Sequence, residues 1–324
     1  MNPESKSGAL DRTSAFLSLA AAAFVSGANL RLFDALLPSV AEDFKVIPAA
    51  AAVVATAFTL AYGLFQIVHG PLGDRLGKLR VVAFATLTAS IMSAGSALAP
   101  DLRTLSLLRF FTGVGAAAII PLSIAWIGDN SSYESRQAVL GRFVGYMILG
   151  QVMGPAIGGL LAQFFSWREV FYGLALFFLA VSILIFIEDR KKPRIVIPGT
   201  FSSALANYGK ILRDSWVRTV LLTTFCEGAM MFGALAYIGV FLKTRFGLSF
   251  LLIGALMACY GIGALVYSLL VPLLLRHLDQ KGFVRLGGMI LLLCFASLPW
   301  IPFWQAAAPL LIGAGFGFYM FHNT

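Results

Sequence analysis

The chain has 324 residues, of which 59% are hydrophobic and 12% are charged, and its net charge is +9. An average soluble domain has about 45–50% apolar and about 25% charged residues, so this chain has too little polar surface to cover a soluble fold. Soluble enzymes, nucleic-acid-binding domains and disordered chains are therefore excluded. The positive charges fall in short gaps between apolar runs, which is typical of a membrane protein.

Ten apolar segments follow one another along the chain, and most are close to the roughly 20 residues that a membrane-spanning helix needs. The first continues across Arg31 and Asp34 to Pro38, the seventh crosses Glu227, and the last long run is divided at Pro299. The segments lack the alternation of barrel strands, so the sequence predicts an all-α polytopic membrane protein. Their centres lie near residues 26, 59, 90, 117, 149, 177, 229, 262, 292 and 315.

The Lys and Arg residues predict the orientation. If the N-terminus is cytoplasmic, 17 of the 24 fall on the cytoplasmic side, 5 fall outside, and Arg31 and Arg109 lie within helices. Such a bias over short loops favours a cytoplasmic N-terminus. Lys6 and Arg12 before the first segment also fit a cleaved signal peptide. The continuation of apolar sequence to Pro38 and the segments that follow favour a first membrane helix instead.

The longest polar stretch divides the chain into two parts. We predict a six-helix bundle over 1–187, a cytoplasmic linker over 188–216 and a second bundle of about four helices over 217–324. A faint repeat joins the halves, because the Pro-Leu pair at 71–72 recurs at 272–273. Two such repeats in parallel orientation are a known arrangement of transporters.

Three stretches of the first half carry glycine-rich motifs. The loop after the second helix reads GPLGDRLGK, the fourth helix contains RFFTGVGAA, and the fifth contains GQVMGPAIGG. The residues concerned are Gly70, Asp74, Arg75, Gly77 and Lys78 in the loop, Arg109 in the fourth helix, and Gly150, Gly154, Pro155, Gly158 and Gly159 in the fifth.

These stretches resemble, in the same order, the loop, fourth-helix and fifth-helix motifs of the major facilitator superfamily. Lys78 stands where that family usually has Arg, and Thr112 stands where it has Gln. The fifth-helix stretch matches the G-x-x-x-G-P-x-x-G-G antiporter motif at every position. The resemblance implies the major facilitator fold, with a six-helix N-terminal bundle and an incomplete C-terminal bundle that lacks its last two helices. It also favours a drug/proton-antiporter-like transporter.

The charged loop has two interpretations. Asp74 and Arg75 can form a solvated turn whose basic residues anchor the topology. The resemblance implies instead that Asp74, Arg75 and Lys78 form a cytoplasmic latch to the other half, which favours the outward-facing state. In the family the latch closes on the eleventh helix, which this sequence does not include.

The fifth helix carries a smooth stripe of small residues. Gly150, Gly154 and Gly158 are four residues apart, and small residues let helices approach closely in lipid, while Pro155 bends the helix. Packing alone accounts for the stripe, but the resemblance adds that it is the pivot between the halves and a seal against proton leak. The eighth helix offers a matching face of small residues, Gly254, Ala258 and Gly261.

Charged residues inside the membrane are costly and are functional candidates by default. Glu227, near mid-membrane, either couples to protons or recognises a cation, or is satisfied by a neighbouring helix. Arg31 and Asp34, three residues apart near the outer end of the first helix, either pair with each other or contact the substrate. Arg109 either extends to the outer surface or, as the resemblance implies and as we favour, tunes a proton-carrying carboxylate.

The sequence contains no pattern of a catalytic or metal site. The three cysteines lie far apart within helices, and the three histidines, His322 among them, lie at the ends of different helices. With no nucleotide-binding loop either, we expect no enzymatic activity, no metal and no cofactor, and a proton gradient as the energy source.

The sequence therefore predicts a secondary active transporter of the cytoplasmic (inner) membrane. We expect a proton-coupled exporter of small lipophilic compounds that works by alternating access. Its expected partners are the lipid bilayer, a small-molecule substrate and protons, with no nucleic acid, and we expect a monomer. A sugar or organic-acid facilitator or symporter shares the fold, and a truncated fragment that no longer transports is the remaining alternative.

Overall fold

A computed structural model of the chain describes residues 3–190, 209 and 211–322. These residues form helices and loops, and no strand occurs among them, which confirms the all-α prediction. Ten long helical segments lie where the apolar runs predict them. They are α1 (Pro3–Asp43), α2 (Val53–Leu76), α3 (Lys78–Ala97), α4 in two pieces (Leu102–Ala116 and Ile119–Asn130), α5 (Tyr133–Phe164), α6 (Trp167–Arg190), α7 (Ser215–Phe246), α8 (Phe250–Leu274), α9 (Gln280–Ser297) and α10 (Ala307–His322).

The length of these segments suits a membrane protein. Within the described residues, 9 segments are long and apolar enough to cross a membrane. The remaining one, α10, has 16 residues, and at ~1.5 Å per residue it is about 24 Å long, which is short of the ~30 Å hydrocarbon core. The first helix runs past Pro38 to Asp43, further than predicted. The buried positions around Pro38 keep α1 helical although proline removes one backbone hydrogen bond.

Polar side chains cap the start of four of the helices. Asp101, which precedes α4, accepts a hydrogen bond of 2.8 Å from the backbone N–H of Thr104, and Thr104 Oγ1 donates a second bond of 3.1 Å. These bonds hold the pKa of the Asp101 carboxyl below its usual range. Asp214, Ser249 and Asp279 cap α7, α8 and α9 in the same way. The caps satisfy backbone donors that a helix leaves open at its start.

The buried apolar side chains form two main clusters. One contains residues of α1 to α6 and the other contains residues of α7 to α10, so each half of the chain has a core of its own. The predicted linker over 188–216 lies mostly outside the described residues, because 191–208 and 210 are not among them. Its boundaries, and those of the two bundles, therefore stay predictions.

The helices pack first within each bundle and then across the molecule. In the first bundle α1 lies against α5, α2 against α4 and α3 against α6, and in the second α10 lies against both α8 and α9. Between the bundles, α5 contacts α8, and α1 contacts α7 and α8. The two halves are thus joined by α1, α5, α7 and α8, which are also the helices around the candidate site.

The charged loop after the second helix is shorter than the sequence predicts. Asp74 and Arg75 lie in the last turns of α2, and the single residue Gly77 separates α2 from α3. Gly77 has a φ of 96°, a conformation that glycine adopts without the steric cost of a Cβ. The chain therefore changes direction at one glycine, and Asp74 belongs to a helix rather than to a solvated turn.

Candidate substrate cavity and the seam between the bundles

A cavity of about 800 Å³ lies between the two bundles. Helices α1 and α5 of the first bundle and α7 to α10 of the second line it. Its wall is mostly apolar, and its few polar side chains include Gln151 on α5, Glu227 on α7 and His322 on α10. A largely apolar cavity with a few converging polar groups is the usual form of a small-molecule binding site.

Glu227 is the one carboxylate on the described wall of this cavity. Helix α7 has 32 residues, and Glu227 lies about 18 Å along it by the rise of ~1.5 Å per residue, close to its middle. Its two carboxylate oxygens are 3.1 and 3.2 Å from Nδ1 of His322, in the last turn of α10. The side chain of Glu227 is 13% exposed and that of His322 is 42% exposed.

The pairing of His322 with Glu227 is absent from the sequence prediction. The two residues are 95 positions apart, and the sequence places His322 alone at a helix end. It lies beside Glu227 because α10 folds back between α8 and α9, so no spacing rule along the chain identifies it. The ring of His322 also stacks on Phe318, with centroids 5.2 Å apart and planes 11° apart.

Arg31 and Asp34 form an ion pair on α1, with Nη2 and Oδ2 3.1 Å apart. The residues are 5% and 6% exposed, so the pair is buried near the bundle interface. The guanidinium lies 5.1 Å from the ring centroid of Phe232 on α7 and 5.8 Å from that of Tyr260 on α8. The charge of Arg31 is therefore balanced within its own helix, while its flat face contacts aromatic rings of the opposite bundle.

Arg109 is buried in the first bundle and is 1% exposed. Its Nη1 donates a hydrogen bond of 2.6 Å to Oδ1 of Asn29, and its guanidinium lies over the rings of Phe58 and Phe171, at 4.3 and 5.4 Å. Among the described residues it forms no ion pair with a carboxylate. Arg109 therefore does not extend to the outer surface, because it is buried with the amide of Asn29 as its partner. The predicted tuning of a proton-carrying carboxylate stays a prediction.

The charges of the predicted latch have their partners inside the first bundle. Lys78, at the start of α3, forms an ion pair with Asp129 at the end of α4 and lies 3.8 Å from Asp74. Asp74 itself is more than half exposed. In this conformation the described contacts of Asp74 and Lys78 therefore join α2, α3 and α4, and they do not cross to the second bundle.

The glycine stripe of α5 faces α1 and not the other half of the molecule. A Cβ on Gly150 would overlap the carbonyl oxygen of Phe24, and a Cβ on Gly154 would lie 2.6 Å from that of Ala28. Gly158 lies against the side chain of Leu32, on the same face of α1. The predicted pivot between the halves is therefore misplaced: the stripe brings two helices of the first bundle together.

The contact between the bundles is made by the next face of α5. A Cβ on Gly159 would overlap the carbonyl oxygen of Phe250 and lie 2.8 Å from Cα of Gly254 on α8, and a Cβ on Gly254 would overlap the carbonyl oxygen of Pro155. Each residue of a helix turns by about 100°, so Gly159 points away from the side on which Gly158 lies. We call this contact of Pro155 and Gly159 with Gly254 the α5–α8 seam.

The two bundles also meet at the end of the molecule where α7 ends. Gly239 of α7 packs on the backbone of Asp34, where an added Cβ would lie 2.9 Å from its carbonyl oxygen. Lys243 of α7 lies 3.8 Å from Glu42 of α1. The cavity lies towards the opposite end, where Leu275, which follows α8, and Gln280, the first residue of α9, line it. The bundles are thus closed together at one end and enclose a cavity near the other.

Comparison with known proteins gives a consistent result. The family model described as Major Facilitator Superfamily matches residues 19–324. The uncharacterized MFS-type transporter YceJ of Bacillus subtilis (strain 168) is 25% identical over 292 residues, which covers 86% of this chain and 71% of that protein. A bicyclomycin resistance protein homologue of Haemophilus influenzae is 25% identical over 218 residues, covering 64% of this chain and 55% of the relative.

The fold is also found in a solved structure. A bacterial homologue of the human lysosomal transporter Spinster, in an inward-facing and unoccupied conformation, has a TM-score of 0.78 at 17% identity. The similarity covers 96% of this chain and 73% of that one. At this identity the likeness concerns the fold, which agrees with the two bundles described above.

Proposed function

The chain belongs to the Major Facilitator Superfamily, and from this premise we propose that it is a proton-coupled exporter of small lipophilic compounds. Membership makes it a multi-pass membrane transporter for a small-molecule substrate and not an enzyme. The observation that carries the finer proposal is Glu227, the one carboxylate on the described wall of an apolar cavity between the bundles. The bicyclomycin resistance homologue supports the direction of export.

In the proposed mechanism, Glu227 exchanges a proton for a substrate. A carboxylate in an apolar environment within the membrane is costly when it is charged and unpartnered. When Glu227 is not held by His322, it is therefore stabilised either by a proton or by a group of the substrate. A bound proton excludes the substrate and a bound substrate excludes the proton, so the proton and the substrate cross the membrane in opposite directions. The aromatic wall supplies contacts for a lipophilic body without fixing its shape.

Alternating access requires the two bundles to rock around the cavity. We propose that the α5–α8 seam and the contact of Gly239 with Asp34 close the outer end in this conformation and separate in the other. Backbone-to-backbone contacts without side chains between them break and re-form with little rearrangement. The ion pair of Arg31 with Asp34 moves with α1 as a neutral unit, and we propose a gating role for it.

The orientation proposed from the sequence gives this conformation a direction. With the N-terminus cytoplasmic, the α8–α9 connection lies on the cytoplasmic side, so the cavity loads from the cytoplasm or the inner leaflet. We propose a monomer in the cytoplasmic (inner) membrane. We also propose that Asp74, Arg75 and Lys78 act as a cytoplasmic latch after the bundles rock, since Asp74 is free to change partners at its exposed position.

Transport into inverted membrane vesicles tests the proposal. Vesicles that contain the chain are energised to an acidic interior, and uptake of a fluorescent lipophilic dye is followed with and without the pH gradient. We expect gradient-driven uptake by the wild type and its loss in Glu227→Gln, which keeps the volume but cannot exchange a proton. Glu169→Gln, an exposed carboxylate at the start of α6, is the matched control and should transport normally.

Each result separates the candidate functions. Gradient-driven uptake that persists in Glu227→Gln removes this carboxylate from the coupling. Uptake of a sugar or organic acid together with protons, in place of exchange, indicates the symporter of the same fold. Substrate movement that is equal with and without the gradient indicates a facilitator.

A further inference from the structure

Arg109 carries a buried positive charge that no carboxylate balances among the described residues. The residue is 1% exposed, and its partner Asn29 is 0% exposed. Arg31, the other buried arginine of this bundle, pairs with Asp34 at 3.1 Å. A buried charge without a counter-charge is costly, above all within a membrane. Arg109 is thus a buried cation whose described partner is a neutral amide.

The guanidinium of Arg109 has more hydrogen-bond donors than the described residues supply acceptors. A guanidinium has five N–H groups. Nη1 donates a bond of 2.6 Å to Oδ1 of Asn29, and Nη2 donates a longer bond of 3.5 Å to its backbone oxygen. Nε of Arg109 and Nδ2 of Asn29 are buried and have no acceptor within the described part of the chain. Buried donors of this kind are rare in folded proteins and indicate a bound water or ion.

The side of the guanidinium formed by Nε and Nη2 has the geometry of an anion site. Their N–H groups point the same way in the plane of the guanidinium and form a fork, which binds anions through two parallel hydrogen bonds. The buried rings of Phe58 and Phe171 lie 4.3 and 5.4 Å from the guanidinium carbon. Aromatic faces attract the cation but carry no net charge. They therefore hold Arg109 in place, restrict the space to a small ligand, and leave the charge to be balanced at the fork.

We propose that Arg109 and Asn29 bind a small inorganic monoanion of the size and charge of chloride. Nε and Nη2 of Arg109 hold the ion, and Nδ2 of Asn29 is a further donor. A water molecule would satisfy these N–H groups but would leave the charge unbalanced, whereas a single monoanion does both. Neither residue lines the cavity between the bundles, so the ion is a structural ligand of the first bundle, separate from the transported substrate.

Binding of radioactive chloride to the full chain tests the proposal. The protein is purified in detergent with sodium gluconate, and chloride then replaces gluconate at constant ionic strength. Because the site is buried, exchange is slow, and each sample is incubated overnight. We expect saturable binding of a single chloride per chain. We also expect the unfolding temperature to rise by about 5 °C at a chloride concentration of about 100 times the dissociation constant, because the ligand stabilises only the folded state.

Two substitutions should remove the chloride dependence in different ways. Arg109→Gln removes the charge, so it should neither bind chloride nor be stabilised by it. Asn29→Asp supplies a carboxylate at the position that lies 2.6 Å from Nη1, so it should bind no chloride and should be as stable in gluconate as the wild type is in chloride. Arg103→Gln removes the same charge from an exposed position of α4 and is the matched control, which should keep the wild-type dependence.

Each other outcome overturns the anion site. A wild type that binds no chloride has water at these donors. Binding that persists in Arg109→Gln or in Asn29→Asp places the ion elsewhere, and an equal stabilisation of all four proteins is a general effect of salt. If Arg109→Gln does not fold, Asn29→Asp decides, because it keeps the arginine. None of these results bears on proton-coupled export, which is tested through Glu227.

Discussion

Substitution of Gly159 by alanine tests the α5–α8 seam most directly. The added Cβ would overlap the carbonyl oxygen of Phe250 and lie 2.8 Å from Cα and 3.0 Å from N of Gly254. Carbon atoms in ordinary contact are about 3.5–4.0 Å apart, so α5 and α8 must separate by about 1 Å. Each atom that the methyl group meets belongs to the backbone, so no side chain can rotate to make room.

The expected energy follows from this overlap. Overpacking of a close contact costs about 1–3 kcal/mol, while alanine in place of glycine within a helix stabilises by about 1 kcal/mol in either conformation. The overpacking is present only while the seam is closed, so the equilibrium between closed and open seam shifts by about 5-fold to 150-fold towards the open state. Gly145 on the same helix has nothing within 4 Å of an added Cβ, and Gly145→Ala should stabilise the helix and leave this equilibrium unchanged.

A distance across the end of the bundles where α7 ends reports the shift. Spin labels at Phe165→Cys and Thr244→Cys, with the three native cysteines replaced by serine, place one probe on each bundle. In Gly159→Ala the distance distribution should move to longer values, and in Gly145→Ala it should match the unsubstituted protein. If the two variants give the same distribution, the seam is not a contact that opens, and the proposed rocking around it is refuted.

Two further predictions concern stability. Asn29→Ala should lower the free energy of unfolding by about 2 kcal/mol, because it removes the acceptor of the buried, charged Arg109. Thermal unfolding in detergent measures the effect, and Asn29→Asp should retain stability. An unchanged midpoint in Asn29→Ala would refute a stabilising role of the hydrogen bond between Asn29 and Arg109. Asp101 has a pKa lowered by its bonds to Thr104, so its contribution to stability is present above the unfolded-state value of about 3.9 and is lost as the pH falls through the lower folded-state pKa. Between pH 5 and pH 2 the unfolding temperature should therefore fall less in Asp101→Asn than in the wild type, and equal slopes would contradict the assignment.

The helices were predictable because their signal is local. Apolar runs of sufficient length, interrupted by charges and glycines, locate all ten segments, and the family was evident from the motifs of the second, fourth and fifth helices. The ion pair of Arg31 with Asp34 was foreseeable for the same reason, since three residues along a helix bring two side chains to one face. Because successive residues of a helix differ by about 100° in direction, Gly159 could also have been placed on a different face of α5 from Gly158. The motif that contains both glycines suggested a single face instead.

The partners across the fold were not predictable. Asn29 as the partner of Arg109, Asp129 as the partner of Lys78, and His322 as the partner of Glu227 lie 80, 51 and 95 positions away along the chain. Each pairing depends on which helices become neighbours and on how each helix is rotated about its axis. A single sequence carries no direct record of either quantity, because many polar residues on several helices satisfy the same spacing.

By itself, the sequence determined that this protein lies in a membrane, the approximate positions of the ten long helical segments among the described residues, and the family to which it belongs. These properties follow from the hydrophobicity and hydrogen-bonding needs of consecutive residues, which act over one helix length. The tertiary structure alone decided that the glycine stripe joins α5 to α1, that Gly159 forms the α5–α8 seam, and that His322 lies beside Glu227. Those outcomes depend on the packing of whole helix faces, where backbone contacts and buried charges must be satisfied together by residues far apart in the chain.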